Sequence, residues 1–253
     1  MRALIGHTGF VGSNLREKGK YDAFFNSRNS SEMRGRHFDE IICSGARAVK
    51  WKANKDPEDD RAHINALIDN LRHVKTELFV LISTVDVYQH PLEVTEDDPA
   101  DMTGLAYGVN RAILENFATQ TFENCIIIRL PALYGRNLKK NALYDLQHGN
   151  MVEAIDSRNA FQWYDVRRLE NDIETIKDSK LRLINITAEP VSMAVIGERY
   201  FPGVLRPGDE HKAVTRYDVR TKYASLLGGK RDYHFDQHQV IEGIGSYLEQ
   251  KNK

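Results

Sequence analysis

The sequence is short of several things, and each shortage excludes a class of protein. There are two cysteines in 253 residues, too few for a disulfide-built scaffold. Both lie in apolar runs, Ile41-Ile42-Cys43 and Cys125-Ile126-Ile127-Ile128, so we expect buried thiols in a reducing compartment. No CxxC or HExxH occurs and the nine histidines show no ligand spacing; no metal is expected. No apolar stretch approaches the roughly 18 residues of a membrane span. A strand-like run begins at Arg2, which leaves no room for a signal peptide, so a cytoplasmic location is expected. Neither sign of charge is in excess: the formal net charge is -1. No global field would draw nucleic acid or an anionic membrane.

What is present is a rhythm. Short apolar runs at Arg2–Ile5, Ala23–Asn26, Glu40–Cys43, Leu78–Ser83 and Cys125–Leu130 alternate with helical patterns at Phe10–Lys18, Asp59–His73 and Tyr107–Gln120. Strands alternating with helices predict an α/β fold, with a doubly wound parallel sheet of Rossmann type. After Gly135 the rhythm loosens. A helix over Val166–Lys177 and a strand over Leu181–Ile186 are placed to rejoin the sheet, and a last helix is expected around Val240–Glu249. This divides the chain into a dinucleotide-binding core, 1–135 rejoined by about 161–187, and a small C-terminal substrate lobe of 136–160 and 188–253.

Gly6, Gly9 and Gly12 stand three apart, between the first strand and the first helix. Gly6 permits the tight turn, Gly9 lets backbone approach a pyrophosphate, and Gly12 removes a side chain where helix meets sheet. Thr8, Phe10 and Val11 complete the cradle, and the helix start offers free N–H groups to phosphate. The end of the second strand lies beside the adenosine ribose. Here it reads Phe25-Asn26-Ser27-Arg28, with no carboxylate to repel a 2′-phosphate. Ser27 and Arg28 tilt the expectation toward NADP over NAD.

A second cluster follows the Leu78–Ser83 strand, where Thr84 places a hydroxyl at a strand's C-terminal end. In a helix, Tyr107 and Arg111 lie one turn apart on one face. A fixed cation favours the phenolate and lowers a tyrosine's pKa. Such a tyrosine can exchange a proton with a substrate oxygen while hydride passes to or from nicotinamide.

Together these motifs resemble the extended short-chain dehydrogenase/reductases, the superfamily of nucleotide-sugar epimerases, dehydratases and reductases. The glycine turn fits, and Ser83-Thr84-Val85-Asp86-Val87-Tyr88 is similar to the superfamily's Ser/Thr-rich stretch, with Thr84 at its catalytic hydroxyl. Tyr107-Gly108-Val109-Asn110-Arg111 fits its YxxxK motif except at Arg111, and Asn65 resembles an asparagine on the preceding helix. Arg129–Gly135 resembles the segment beside the nicotinamide, which implies contacts from Pro131 and Leu133. The resemblance likewise implies cofactor contacts from Ser44, Gly45, Tyr107 and Arg111, a nucleotide-sugar substrate, and a homodimer built on the helices flanking Tyr107. Arginine keeps the lysine's charge but is planar and never deprotonates. It would hold the ribose and bias Tyr107 without relaying a proton. The rival expectation is a non-catalytic dinucleotide-binding sensor or assembly protein whose site has drifted. Arg136, Lys139, Lys140, Arg167, Arg168, Arg206, Arg216 and Arg220 are candidate cations for the substrate's phosphates, with scattered surface charge as the simpler expectation for each. The aromatics of 161–164 are expected in the core rather than on a base.

Overall fold

The structure is a computed structural model that describes residues 1–208 and 210–251. Its centre is a six-stranded sheet in which every pairing is parallel. β1 (Arg2–Ile5) leads through α1 (Phe10–Lys18) to β2 (Ala23–Phe25). The chain then crosses to the other side of β1 for β3 (His37–Cys43). Two helices follow, α2 (Lys50–Lys55) and α3 (Pro57–Leu71), then β4 (Lys75–Thr84), α4 (Ala106–Thr121) and β5 (Cys125–Leu130). The strand order is β2-β1-β3-β4-β5, closed on the far side by a late strand, Leu183–Asn185.

Burial on both faces explains the apolar strands. Along β1, β3 and β4, Ala3, Ile5, Ile41, Cys43, Phe79 and Leu81 pack on one face, against α3 and α4. The residues between them, Leu4, Ile42, Val80 and Ile82, pack on the other, against α1 and the C-terminal helices. This is the period of two of a strand with both faces covered. The start of α3 is fixed locally: the Asp56 side chain accepts the Asp59 N–H at 3.1 Å, with Pro57 in the first turn.

Beyond β5, short elements build the second part of the molecule: β6 (Ala132–Tyr134), α5 (Ala142–His148), β7 (Ala160–Phe161) and β8 (Trp163–Asp165). α6 (Leu169–Asp178) returns the chain to the sheet as β9 (Leu183–Asn185), before β10 (Val191–Ser192), α7 (Met193–Tyr200) and α8 (Gln237–Lys251). β6 pairs with β8 and β7 with β10, two small sheets outside the main one. Trp163 and Tyr164 are 2% and 1% exposed, so these two aromatics serve packing. The helix expected from Val166 begins at Leu169, after a 3-10 turn at Val166–Arg168. Residues 209, 252 and 253 of the expected lobe lie outside the described residues. Among the described residues, no helix is long and apolar enough to cross a membrane.

Candidate functional site

β2 and β3 lie on opposite sides of β1, so the order of the strands reverses at β1. In open α/β sheets ligands bind at this switch point. Gly6 turns the chain there at φ +85°, a conformation that L side chains rarely adopt. A Cβ on Gly6 would lie 2.3 Å from the Ser44 carbonyl oxygen, so the turn is packed directly on the Ser44–Gly45 loop. A Cβ on Gly12 would lie 2.1 Å from the Gly6 oxygen. Around Gly9 the crowding stops: the one neighbour within 4 Å of a Cβ is that same Gly6 oxygen, at 3.3 Å. Gly9 is the N-cap of α1 and no side chain bonds there. The N–H groups of Phe10, Val11 and Gly12 therefore lack an acceptor within the helix. The turn is tight toward the protein and open toward solvent, with Thr8 and Gly9 exposed.

At the end of β2, Asn26 and Asn29 tie the loop down. Asn26 Oδ1 accepts the Arg28 N–H at 2.8 Å, and Asn29 Oδ1 accepts the Asn26 N–H at 2.8 Å. Ser27 and Arg28 are held exposed at its tip. Across the sheet, Pro131 is buried and Leu133 half-buried beside β5.

Thr84 ends β4, and its hydroxyl accepts the Asp86 N–H at 3.1 Å. Tyr107 lies in the first turn of α4, its N–H bound to Asn54 Oδ1 of α2 at 2.9 Å. The two segments come together because Gly108 allows it: a Cβ there would sit 2.0 Å from the Asp86 carbonyl oxygen. Between them and the C-terminal segment opens a cavity of about 380 Å³, with Lys50, Asp86, Tyr107, Arg216 and Tyr217 in its wall. Thr84 does not line it; its Oγ1 lies behind Asp86, 3.4 Å from Oδ2.

Arg111 departs from the sequence-based expectation. Its side chain is 3% exposed and closes a buried ion pair with Asp60 of α3, at 2.5 and 3.1 Å. It also donates to the carbonyl oxygens of Tyr107, at 3.1 Å, and of Arg47. Four of the guanidinium's five donors are thereby used, which leaves little for a ribose. Asn110 Nδ2 joins the same Asp60 carboxylate at 2.7 Å, while Asn65 is exposed on α3. Tyr107 is also corrected: burial pushes its phenol above the ordinary tyrosine value, against the opposing pull of Arg111 and Lys50. The cation is there, but desolvation of the phenolate outweighs it.

By sequence, no family model and no curated protein matches the chain. Solved structures do match its fold. A dTDP-4-dehydrorhamnose reductase of Clostridium acetobutylicum is similar over 100% of both chains, at 17% identity and a TM-score of 0.74. That of Bacillus anthracis, in complex with NADP, covers 98% of both chains at 17% identity and 0.74. A UDP-N-acetylglucosamine 4-epimerase of Bacillus cereus covers 98% of this chain and 99% of its own, at 18% and 0.68. The chain has the fold of these nucleotide-sugar reductases and epimerases.

Within that fold, most of the candidate substrate cations are engaged elsewhere. Arg136 pairs with Glu17, Arg167 with Asp165, Arg168 with Asp172, and Arg220 with Glu93 and Asp218. Lys140 lies over the Trp51 ring at 4.6 Å, and Arg206 is exposed. Arg216 reaches the cavity wall and has no ion-pair partner among the described residues. Arg129 serves packing: buried in β5, it pairs with Glu115 at 2.6 Å and donates to the Tyr88 hydroxyl at 2.6 Å. Sequence reasoning gave Lys50 and Tyr217 no role. No periodicity marks either, since each comes from outside the patterned strands and helices that carry Thr84 and Tyr107.

The glycine geometry yields a direct test. Gly12→Ala forces the start of α1 off Gly6 and should destabilise the chain by about 1–3 kcal/mol. Denaturant unfolding checks this; an unchanged midpoint would mean that α1 is not packed tightly on the turn.

Proposed function

We propose that the chain is an NAD(P)-dependent oxidoreductase or epimerase acting on a hydroxyl or carbonyl of a nucleotide sugar, within the extended short-chain dehydrogenase/reductases. The observation that carries this reading is one of position. An open glycine turn at the switch point and a tyrosine-walled cavity at the C-terminal end of β4 share one edge of the sheet.

The residues fit a dinucleotide. The surface at Gly9 is open where a pyrophosphate would lie on the N–H groups of Phe10, Val11 and Gly12. Ser44 and Gly45 pack against the Gly6 turn, and we assign Pro131 and Leu133, just past β5, to the nicotinamide end. The exposed Arg28 and Ser27, with no carboxylate beside them, favour NADP over NAD. When bound, the nicotinamide supplies hydride donation or acceptance. In reduction, Tyr107 gives its proton to the substrate's carbonyl oxygen as that oxygen gains charge; in oxidation it takes the proton back. Thr84 lies behind Asp86 rather than in the cavity wall, so its part in this reading is to hold the Asp86 turn beside Tyr107. Arg216 is the cavity cation available to an anionic substrate group.

Titration of the same preparation with NADPH and NADH tests the cofactor. NADPH should bind more tightly, and Arg28→Ala should weaken NADPH about 10-fold while leaving NADH unchanged. Tighter binding of NADH by the unmodified chain would overturn the NADP preference. A panel of nucleotide 4-keto and 4-hydroxy sugars, followed through NADPH absorbance and by product analysis for epimers, tests the reaction class.

A further inference from the structure

The wall of the cavity holds a cation that does not come from the helix of Tyr107. Lys50 opens α2, and its ammonium donates to Asp86 Oδ1 at 2.6 Å and to the Tyr217 hydroxyl at 2.7 Å. That hydroxyl in turn donates to the same Asp86 oxygen at 2.6 Å. The result is a closed ring of three hydrogen bonds, drawn from α2, the turn after β4 and the C-terminal segment. An ammonium has three donors; the ring uses two, and one remains.

Arg111 and Lys50 are different kinds of charge. Arg111 lies 3.9 Å from the centre of the Tyr107 ring, and its donors are bound to Asp60 and backbone carbonyls. Its charge is the largest pull toward the Tyr107 phenolate, but it has little freedom to follow the proton. Removing Arg111 would also strand a buried carboxylate, so its place is fixed by the fold. Lys50 is 42% exposed, lines the same cavity as the phenol, and is a compact point charge on a flexible stem. An ordinary half-exposed lysine pair would be worth little. This one is held from two sides, and its partner Asp86 also contacts the Thr84 hydroxyl.

We propose that Lys50 is a second positioning residue for the proton chemistry of Tyr107: its ammonium, held by Asp86 and Tyr217 in the wall of the same cavity, adds to Arg111 in stabilising the phenolate. This rests on the reading of Tyr107 as the acid/base. In the reducing direction the Tyr107 O–H bond breaks, the proton goes to the carbonyl oxygen, and hydride from NADPH adds to the carbonyl carbon. The phenolate left behind shares its cavity with Lys50 until water returns a proton. The charged groups acting on Tyr107 are Arg111 of its own helix, Lys50 of α2, Asp60 of α3 and Asp86 of the β4 turn, with the Tyr217 phenol in the same wall. Asp86 opposes Lys50 and acts on Tyr107 the more strongly, so removing Asp86 exposes the effect of the lysine.

The test uses the full chain labelled with 13Cζ-tyrosine, its Tyr107 resonance assigned by loss in Tyr107→Phe. In Asp86→Asn the Tyr107 titration should move down by about one pH unit. Adding Lys50→Met should move it back up, whereas adding Lys50→Arg should keep it low. If Asp86→Asn does not fold, Lys50→Met alone gives the second reading: Tyr107 should stay neutral to higher pH than in the parent. The proposal is overturned if Lys50→Met leaves the titration where it was in both backgrounds, because the charge then comes from Arg111 alone. That result, with turnover still lost in Tyr107→Phe, would remove Lys50 alone; turnover indifferent to Tyr107→Phe would remove the underlying reading.

Discussion

Tyr107→Phe is expected to lower turnover about 10²–10⁴-fold, the usual contribution of a positioned acid/base, while NADPH binds as before. At 1.36 kcal/mol per decade, this asks the hydroxyl for about 3–5 kcal/mol of barrier lowering. The expectation follows from place: Tyr107 is in the wall of the cavity, the Thr84–Asp86 turn adjoins it, and the glycine turn lies elsewhere on the sheet edge. On the proposed reading the mutation deletes one proton without touching the glycine turn. Its pH profile adds a signed test. Burial holds the phenol above its ordinary pKa, so the proton donor stays loaded through neutral pH. Carbonyl reduction should be flat there and fall only at strongly alkaline pH; oxidation of the alcohol, which needs the phenolate, should rise as pH rises. Paired stopped-flow measurements on parent and variant decide the matter. Equal turnover in both would leave a cofactor-binding protein whose chemistry, if any, lies elsewhere.

The second large effect concerns stability. Asp60→Ala should destabilise the chain by about 3–5 kcal/mol, because it leaves the Arg111 guanidinium buried without its carboxylate. Both side chains are almost fully enclosed, at 3% and 5% exposure, so water cannot replace the lost partner. Arg61 and Asn110 are disturbed too, since Asn110 bridges Arg61 at 2.6 Å to Asp60 at 2.7 Å. Denaturant unfolding gives the measurement, and the control is a double replacement of Asp60 and Arg111 by apolar residues, which should recover most of the loss. A loss under 1 kcal/mol for Asp60→Ala would mean that the pair does not hold α3 to α4. The same geometry governs Arg111→Lys. An ammonium cannot make the two-pronged contact with Asp60, so this change should cost stability and bring no gain in turnover.

Much of this was legible in the residues. The alternation of apolar runs and helical patterns gave the parallel sheet, because a strand buried on both faces must be apolar throughout, as Cys125–Leu130 is. The glycine turn was legible because its demands are local: a positive φ at Gly6 and no room for a Cβ at Gly12 are set within a few residues of chain. The positions of Thr84 and Tyr107 in the fold were readable for the same reason, each lying at the end or start of a strongly patterned element. The small strands β6, β7, β8 and β10 were not, since two or three residues carry no periodicity.

What the sequence by itself determined is therefore the sheet, the turn at its switch point and the two hydroxyls near its edge. The tertiary structure alone decided what the charges do. Position along α4 placed Arg111 one turn from Tyr107, but Asp60, from another helix, claimed its donors. Lys50, Asp86 and Tyr217 meet across 167 residues of separation, which no spacing rule spans. Local backbone preferences act over a few residues, whereas a charge is satisfied by whatever the fold brings within about 3 Å. The partners of Arg111 and Lys50 could be known only once the chain had closed.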